Sequence, residues 1–280
     1  MNWAKIAVIG GINLDILGVP RGAYRERDSL IGSVSFRPGG VGRNIAAQAV
    51  QLGADVTLIT AFGQDRNAEF LMEACREDGI RISDALRFSA PTSVYLAIHD
   101  ETGDMVSAVN DMHLTTLMTP EALSPTLPAV NAAQVCVLDA NLPEETLRFL
   151  AEELRVPLLC DPVSIEKAKR TLPILPYLTA FKPNFYEAQA LSGQESPEDC
   201  AQWLLDRGVQ NVLISMGGKG VYYADCRQSG CLTPSRLSAR VQTGAGDAMA
   251  AGIAVAMASG GNVAQWADAG MQAAARHLKG

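Results

Sequence analysis

The strongest constraint on the fold is an alternation of short, almost wholly apolar runs with segments of helical period. The strand candidates are Lys5–Gly10, Val56–Thr60, Val135–Asp139, Pro157–Asp161, Ala180–Lys182 and Val212–Ser215. Between them, apolar residues recur at helical spacing in Asn44–Leu52, Asn67–Asp78, Glu144–Leu154 and Asp199–Asp206. A strand that is apolar on both faces must be covered on both faces. The pattern therefore predicts an α/β fold, with a central, mostly parallel β-sheet flanked by helices. The last part of the chain is helical and rich in small residues, from Asp247 to Ala258 and from Val263 to His277.

Two stretches break the alternation. Residues 13–37 contain no clear helix. In the other, Ser93–Ile98 and Met105–Val109 flank the turn Asp100-Glu101-Thr102-Gly103-Asp104 and read as a hairpin. Antiparallel strands inserted into a βα rhythm suggest a small accessory sheet. The expectation is one domain over 1–280, with a lid formed by segments 13–37 and 92–112 over the carboxyl edge of the main sheet.

The most informative segment is Thr243-Gly244-Ala245-Gly246-Asp247, at the start of a helix. Backbone N–H groups of a first helical turn lack intrahelical partners and bind anionic oxygens, and glycines let the backbone come close to a phosphate. An aspartate in that turn can take the proton of an attacking hydroxyl while the amides hold the transferring phosphoryl group. The plain structural alternative is that Asp247 only caps the helix and complements its dipole.

Three further elements bear on the choice. Gly10-Gly11-Ile12-Asn13-Leu14-Asp15 follows the first strand, and Pro38-Gly39-Gly40-Val41-Gly42-Arg43-Asn44 opens the next helix. Asn13, Asp15 and Asn44 carry groups that hold sugar hydroxyls, and Gly39 and Gly40 permit backbone contact with a ring. The alternative is a glycine turn with an Asn cap. Asn184 and Glu187 have capping-box spacing, or stand near hydrated Mg²⁺ and the phosphates of ATP. Ser215-Met216-Gly217-Gly218-Lys219-Gly220 is a hairpin turn or a bed for nucleotide phosphates. Neither G-x-x-x-x-G-K-[ST] nor a strand-borne G-x-G-x-x-G occurs, which excludes a P-loop enzyme and a typical dinucleotide binder.

Composition closes off other classes. With 48% hydrophobic and 19% charged residues the chain is ordinarily globular. A formal net charge of −7 without a basic stripe argues against a nucleic-acid polymer as partner. No apolar run reaches membrane-spanning length and no signal peptide is read, so a cytoplasmic protein without a membrane partner is expected. The six cysteines show no zinc spacing, and Cys226 and Cys231 flank a polar turn where they would pair only if oxidised.

In this order, the four elements resemble the PfkB (ribokinase-like) family of carbohydrate and nucleoside kinases, over essentially the whole chain. The Gly39-Gly40 pair and Thr243-Gly244-Ala245-Gly246-Asp247 are similar to its two signatures. The resemblance implies phosphoryl transfer from ATP, with Mg²⁺, to an alcohol, and a small β-sheet lid over the substrate. Asp247 would be the base, and Gly244, Ala245 and Gly246 the anion hole. It implies an acceptor site of Asn13, Asp15, Gly39, Gly40, Arg43, Asn44, Ser93, Tyr95, Asn110 and Asp111. The nucleotide side would comprise Asn184, Glu187, Ser215, Gly217, Gly220 and Thr243, with Mg²⁺ near Asn184 and Glu187 through water. Members that use a monovalent cation commonly carry an aspartate where Val241 stands, which leaves potassium use open. Members commonly continue past the last helix with a segment that walls the adenine pocket, so a weaker hold on ATP is expected. Pairing of lids suggests a homodimer.

Within the family, the Pro38–Asn44 loop, Thr92–Leu96, Val109-Asn110-Asp111-Met112, Asp161-Pro162-Val163-Ser164 and Ser215–Gly218 look like kinases of pseudouridine. That nucleoside carries two ring N–H donors where uridine has one. An oxygen of Asn110 or Asp111 would read the extra donor, and leaving it unpaired would penalise uridine. In an extended strand the two point to opposite faces, so only one meets the base. The alternatives are a kinase of the same fold acting on ribose, fructose or another nucleoside, and a non-catalytic binding regulator.

Overall fold

The computed structural model describes residues 3–234 and 244–279. Its strands are, in chain order, β1 (Lys5–Ile9), β2 (Asn13–Pro20), β3 (Gly32–Gly39), β4 (Asp55–Ile59), β5 (Ala61–Phe62), β6 (Leu86–Arg87), β7 (Val94–His99) and β8 (Met105–Asp111). They continue with β9 (Val135–Asp139), β10 (Leu158–Asp161), β11 (Ala180–Phe181), β12 (Asn211–Ser215), β13 (Val221–Asp225) and β14 (Ser229–Leu232). The main sheet runs β14-β13-β12-β11-β10-β9-β1-β4, parallel from β4 to β12 and antiparallel at β13 and β14. Its central strands are buried from end to end, as their unbroken apolar sequences require: Ile6–Ile9, Val135–Asp139 and Leu158–Asp161.

Two apolar layers cover it. One joins Ile6, Val8, Val135 and Val137 to the helices Val41–Gln51, Arg66–Glu77, Ala245–Ala258 and Val263–His277. The other joins Ile9, Cys136, Leu138 and Phe181 to Glu144–Glu153, Phe185–Ser192 and Pro197–Leu205. The last two long helices touch through glycines. A Cβ on Gly252 would lie 2.6 Å from the Ala269 carbonyl, and one on Gly270 2.8 Å from Ile253 Cγ1. This contact sets the axis of the helix that carries Asp247. Among the described residues no helix is long and apolar enough to cross a membrane.

The stretch without a helix, residues 13–37, forms β2 and most of β3. These pair with the β7–β8 hairpin in a separate sheet of order β3-β2-β7-β8. Register sorts its faces. Arg37, Asp15, Tyr95 and Asn110 form one cross-strand row. Phe36, Ile16, Leu96 and Val109 form a row on the opposite face, where Phe36 and Val109 are 57% and 64% exposed. Asp65 anchors the sheet: it caps the Arg66–Glu77 helix and accepts from Thr92 N (2.7 Å) and Thr92 Oγ1 (2.6 Å), just before β7.

One expectation is corrected. The first helix begins at Val41, because Gly40 at φ 99° ends the extended β3 segment. Asn44 thus lies one turn inside the helix and does not cap it. The two-stranded β5–β6 pair is too short to show a period. Cys226 and Cys231 are free, since β13 pairs Tyr222 with Cys231 while Cys226 lies in the turn beyond Asp225. That places them more than about 10 Å apart along the strand, too far for a disulfide.

Candidate active site

The carboxyl ends of β1, β9, β10 and β11 meet at one edge, and each apolar strand is followed or closed there by a polar group. Asp139, fully buried, accepts from Gly11 N at 2.8 Å and from Asn141 N at 2.9 Å, so it shapes the glycine turn after β1. Burial raises its pKa against those hydrogen bonds. Asp161 accepts from Val163 N (2.8 Å) through one oxygen and pairs with Lys182 Nζ (3.0 Å) through the other, both side chains being buried. Burial alone would lower the pKa of Lys182, but the surrounding Asp161, Glu187 and Asp247 outweigh it, and the pKa stands above its ordinary value.

Over this floor stands the Ala245–Ala258 helix. Gly244 precedes it at φ 95°, a conformation that glycine adopts without strain, with the His277 ring against the position a Cβ would take. Gly244, Ala245 and Gly246 thus present the first-turn amides, and a Cβ on Gly246 would lie 3.7 Å from Lys182 Nζ. A cation therefore lies beside the amide cluster. Asp247 is in the first turn and accepts from Asn44 Nδ2 at 3.0 Å. Burial and then the charge of Asp161 push its pKa up to about 7, with Asn44 and Lys182 acting in the opposite direction.

Beside Asp247 opens a cavity of about 180 Å³. The main body contributes Asn13, Asp15, Gly40, Val41 and Asn44, and Asn13 Nδ2 donates to Asp15 Oδ1 at 2.5 Å. Tyr95, Asn110 and Met112 close it from the small sheet and the residue after it. Asn141, Val163 and Lys167 form the remaining wall. Gly39 lies against the Asp15 carboxylate, leaving no room for a Cβ.

Other expected acceptor residues stand elsewhere. Asp111 lies on the face opposite Asn110 and bonds His113, through Nδ1 at 2.8 Å and N at 3.2 Å, so it is not part of the cavity. Arg43 turns back to pair with Asp78 and does not line the cavity. Ser93 is buried, its hydroxyl without a partner and its carbonyl accepting from Leu14 N at 2.9 Å.

On the nucleotide side, Asn184 and Glu187 form a true capping box: Glu187 Oε2 accepts from Asn184 N (2.8 Å), and Asn184 Oδ1 accepts from Glu187 N (2.9 Å). Glu187 is nonetheless buried near Lys182, and burial raises its pKa. Ser215 N donates to the Pro183 carbonyl at 3.0 Å, tying this helix start to the Gly217–Lys219 turn, where Gly217 and Gly220 take φ 58° and 99°. Thr243 and Val241 lie outside the described residues.

Sequence reasoning passed over Asp139, Lys182, Asn141 and Lys167 as site residues, and quoted Asp161 and Val163 only in a motif. For Asp139, Asp161 and Lys182 the signal was present, as a charged residue closing an apolar strand at the ligand edge.

A doubly covered, mostly parallel sheet, a small second sheet and an acid at an amide-lined helix start together define a ribokinase-like phosphotransferase with an alcohol group as acceptor. The chain belongs to the pfkB family of carbohydrate kinases, whose model matches residues 4–278. It is 36% identical over 257 residues to pseudouridine kinase of Escherichia coli, covering 89% of this chain and 82% of the relative. It is 26% identical to guanosine-inosine kinase of Exiguobacterium acetylicum, covering 87% and 84%. Among solved structures it is similar to a carbohydrate kinase from Agrobacterium tumefaciens, with a TM-score of 0.90 at 30% identity and 99% and 91% coverage.

Proposed function

We propose that this kinase transfers the γ-phosphoryl group of ATP to the 5′-hydroxyl of pseudouridine, giving pseudouridine 5′-phosphate and ADP. The observation that carries the reading is the cavity itself, where Asp15 and Asn44, which donates to Asp247, share one space with Tyr95 and Asn110 of the small sheet. The identity to pseudouridine kinase of Escherichia coli supports the choice of acceptor. Asn13, Asp15 and the backbone at Gly39 and Gly40 hold the ribose. Asp247 Oδ takes the hydroxyl proton as the oxygen attacks phosphorus and the bond to the β-phosphate oxygen breaks. The amides of Gly244, Ala245 and Gly246, with Lys182 beside them, receive the charge that moves onto the transferring oxygens. The small sheet acts as a lid, and Asn110 reads the second ring N–H of the base.

ATP lies along Ser215, Gly217 and Gly220. Asn184 and Glu187 would hold Mg²⁺ through water. When bound, the ion neutralises the phosphate oxygens and helps the leaving group depart. The residues fit such an ion: Glu187 is a buried carboxylate whose charge gains from a cation, and Mg²⁺ commonly keeps its waters and is held through few carboxylates. The exposed row of Phe36, Leu96 and Val109 is covered by a second copy of the chain, an arrangement to be checked by light scattering. The setting is the cytoplasm, where ATP is supplied.

The test is ADP release with Mg-ATP and equal concentrations of pseudouridine, uridine, adenosine, ribose and fructose. Turnover with pseudouridine far above the rest is expected. Preference for another acceptor would overturn the choice of substrate.

A further inference from the structure

The cavity wall carries a basic residue as well as an acidic one. Lys167 lines the cavity, and its ammonium donates to Asn141 Oδ1 at 2.6 Å, an amide oxygen rather than a carboxylate. An ammonium has three N–H bonds, and with one turned to Asn141 the others remain for a ligand. Asn141, its oxygen engaged, is left with its amide N–H₂ as a second donor. Lys167 and Asn141 therefore offer donors to the cavity, whereas Asp15 offers it an acceptor.

The arrangement is held rigidly. Arg170 binds the loop after β9 through the carbonyls of Ala140 and Asn141, each at 3.2 Å, which fixes Asn141. Lys167 is in the first turn of Ile165–Ala168, where Ser164 Oγ accepts from its backbone N–H at 3.4 Å. Just before it, Val163 takes φ 66°, and Ser164 N donates to the Pro162 carbonyl at 2.7 Å, closing a tight γ-turn. Positive φ is costly for a β-branched residue and persists only where its surroundings fix it. Here the fixing bond is Val163 N–H to Asp161.

We propose that Lys167, oriented by Asn141, is a specificity-determining residue that donates a hydrogen bond to a carbonyl oxygen on the base of the acceptor; this rests on the nucleoside reading above. A uracil-type base presents such carbonyls, and a bare sugar in its ring form presents none.

The test crosses truncation of the residue with truncation of the ligand. Kinetics of wild type and Lys167→Met are measured with pseudouridine and with ribose, alongside melting temperature. Loss of a hydrogen bond to a charged donor should raise KM for pseudouridine about 10- to 100-fold, with kcat within about threefold. KM for ribose should stay unchanged, since ribose lacks the group that Lys167 reads; a structural disturbance would weaken both acceptors alike. Equal loss for both, or no loss for either, overturns the proposal while leaving the kinase reading intact if wild type still favours pseudouridine. If wild type phosphorylates ribose and no nucleoside, the nucleoside reading fails and this inference with it. Lys167→Gln, which keeps a polar tip, replaces the Met variant should that one not fold.

Discussion

Replacing Asp247 with Asn should abolish turnover and, at neutral pH, make the free protein more stable. In the folded state burial and Asp161 hold the Asp247 pKa at about 7, whereas an unfolded aspartate titrates near 3.8. The folded form thus disfavours the charge. As pH rises from about 4 to 7 the unfolded chain releases a proton that the folded chain retains, and wild type loses stability over that window. A gap of about 3 pH units at about 1.4 kcal/mol each sets an upper limit of ~4 kcal/mol. Asp247 is only partly buried in the described structure, so solvent screening reduces the expected gain to about 1–2 kcal/mol. The neutral amide escapes this cost and can still accept from Asn44. For a chain of this size that is a rise in Tm of roughly 2–4 °C. Thermal unfolding of both forms at pH 4, 6 and 8, without nucleotide, checks it. The gap should be small at pH 4 and full at pH 8. A variant no more stable than wild type at pH 8, or a gap independent of pH, would refute the reasoning.

The same carboxyl group sets a kinetic limb: kcat/KM should rise with pH through about 7 and then level off, because the base must be ionised. A flat profile between about pH 5.5 and 8.5 would exclude Asp247 as the titrating base. Asn44→Ala removes the hydrogen bond that favours the charged form, so the limb should move to higher pH and activity at pH 7 fall by roughly tenfold. Lys182→Met leaves Asp161 buried without its partner and should cost about 3–5 kcal/mol, read as a large fall in denaturation midpoint; a change under about 1 kcal/mol would show the pair to be dispensable. Gly252→Val drives a branched side chain into the Ala269 carbonyl, and about 1–3 kcal/mol of destabilisation, or more, should follow in the same assay.

The main sheet was legible because continuous apolar runs such as Val135–Leu138 have one economical home, a strand covered on both sides. The helix start that carries Asp247 was legible because Gly244, Ala245 and Gly246 run straight into an acid. What escaped depended on contacts distant in sequence. Asn44 reads as a cap until Gly40 is seen to start the helix earlier, and its real partner is Asp247, 203 residues away. The period of two already set Asn110 and Asp111 on opposite faces, but only the register with Tyr95 and Val94 tells which face meets the cavity. Lys167 gave no signal, since a four-residue helix has no period and the Asn141 it grips lies 26 residues earlier.

Asp161 serves two masters with its two oxygens, the Val163 turn that walls the cavity and the Lys182 ammonium beside the Gly244–Gly246 amides. Any ligand that shifts one oxygen's partner changes what the other can offer. Coupled binding at the two ends is the expected outcome of sharing this carboxylate. Whatever factor nucleotide imposes on acceptor affinity, the acceptor must return to nucleotide affinity. Asp161→Asn should erase that mutual factor, bringing the affinities measured alone and together into agreement.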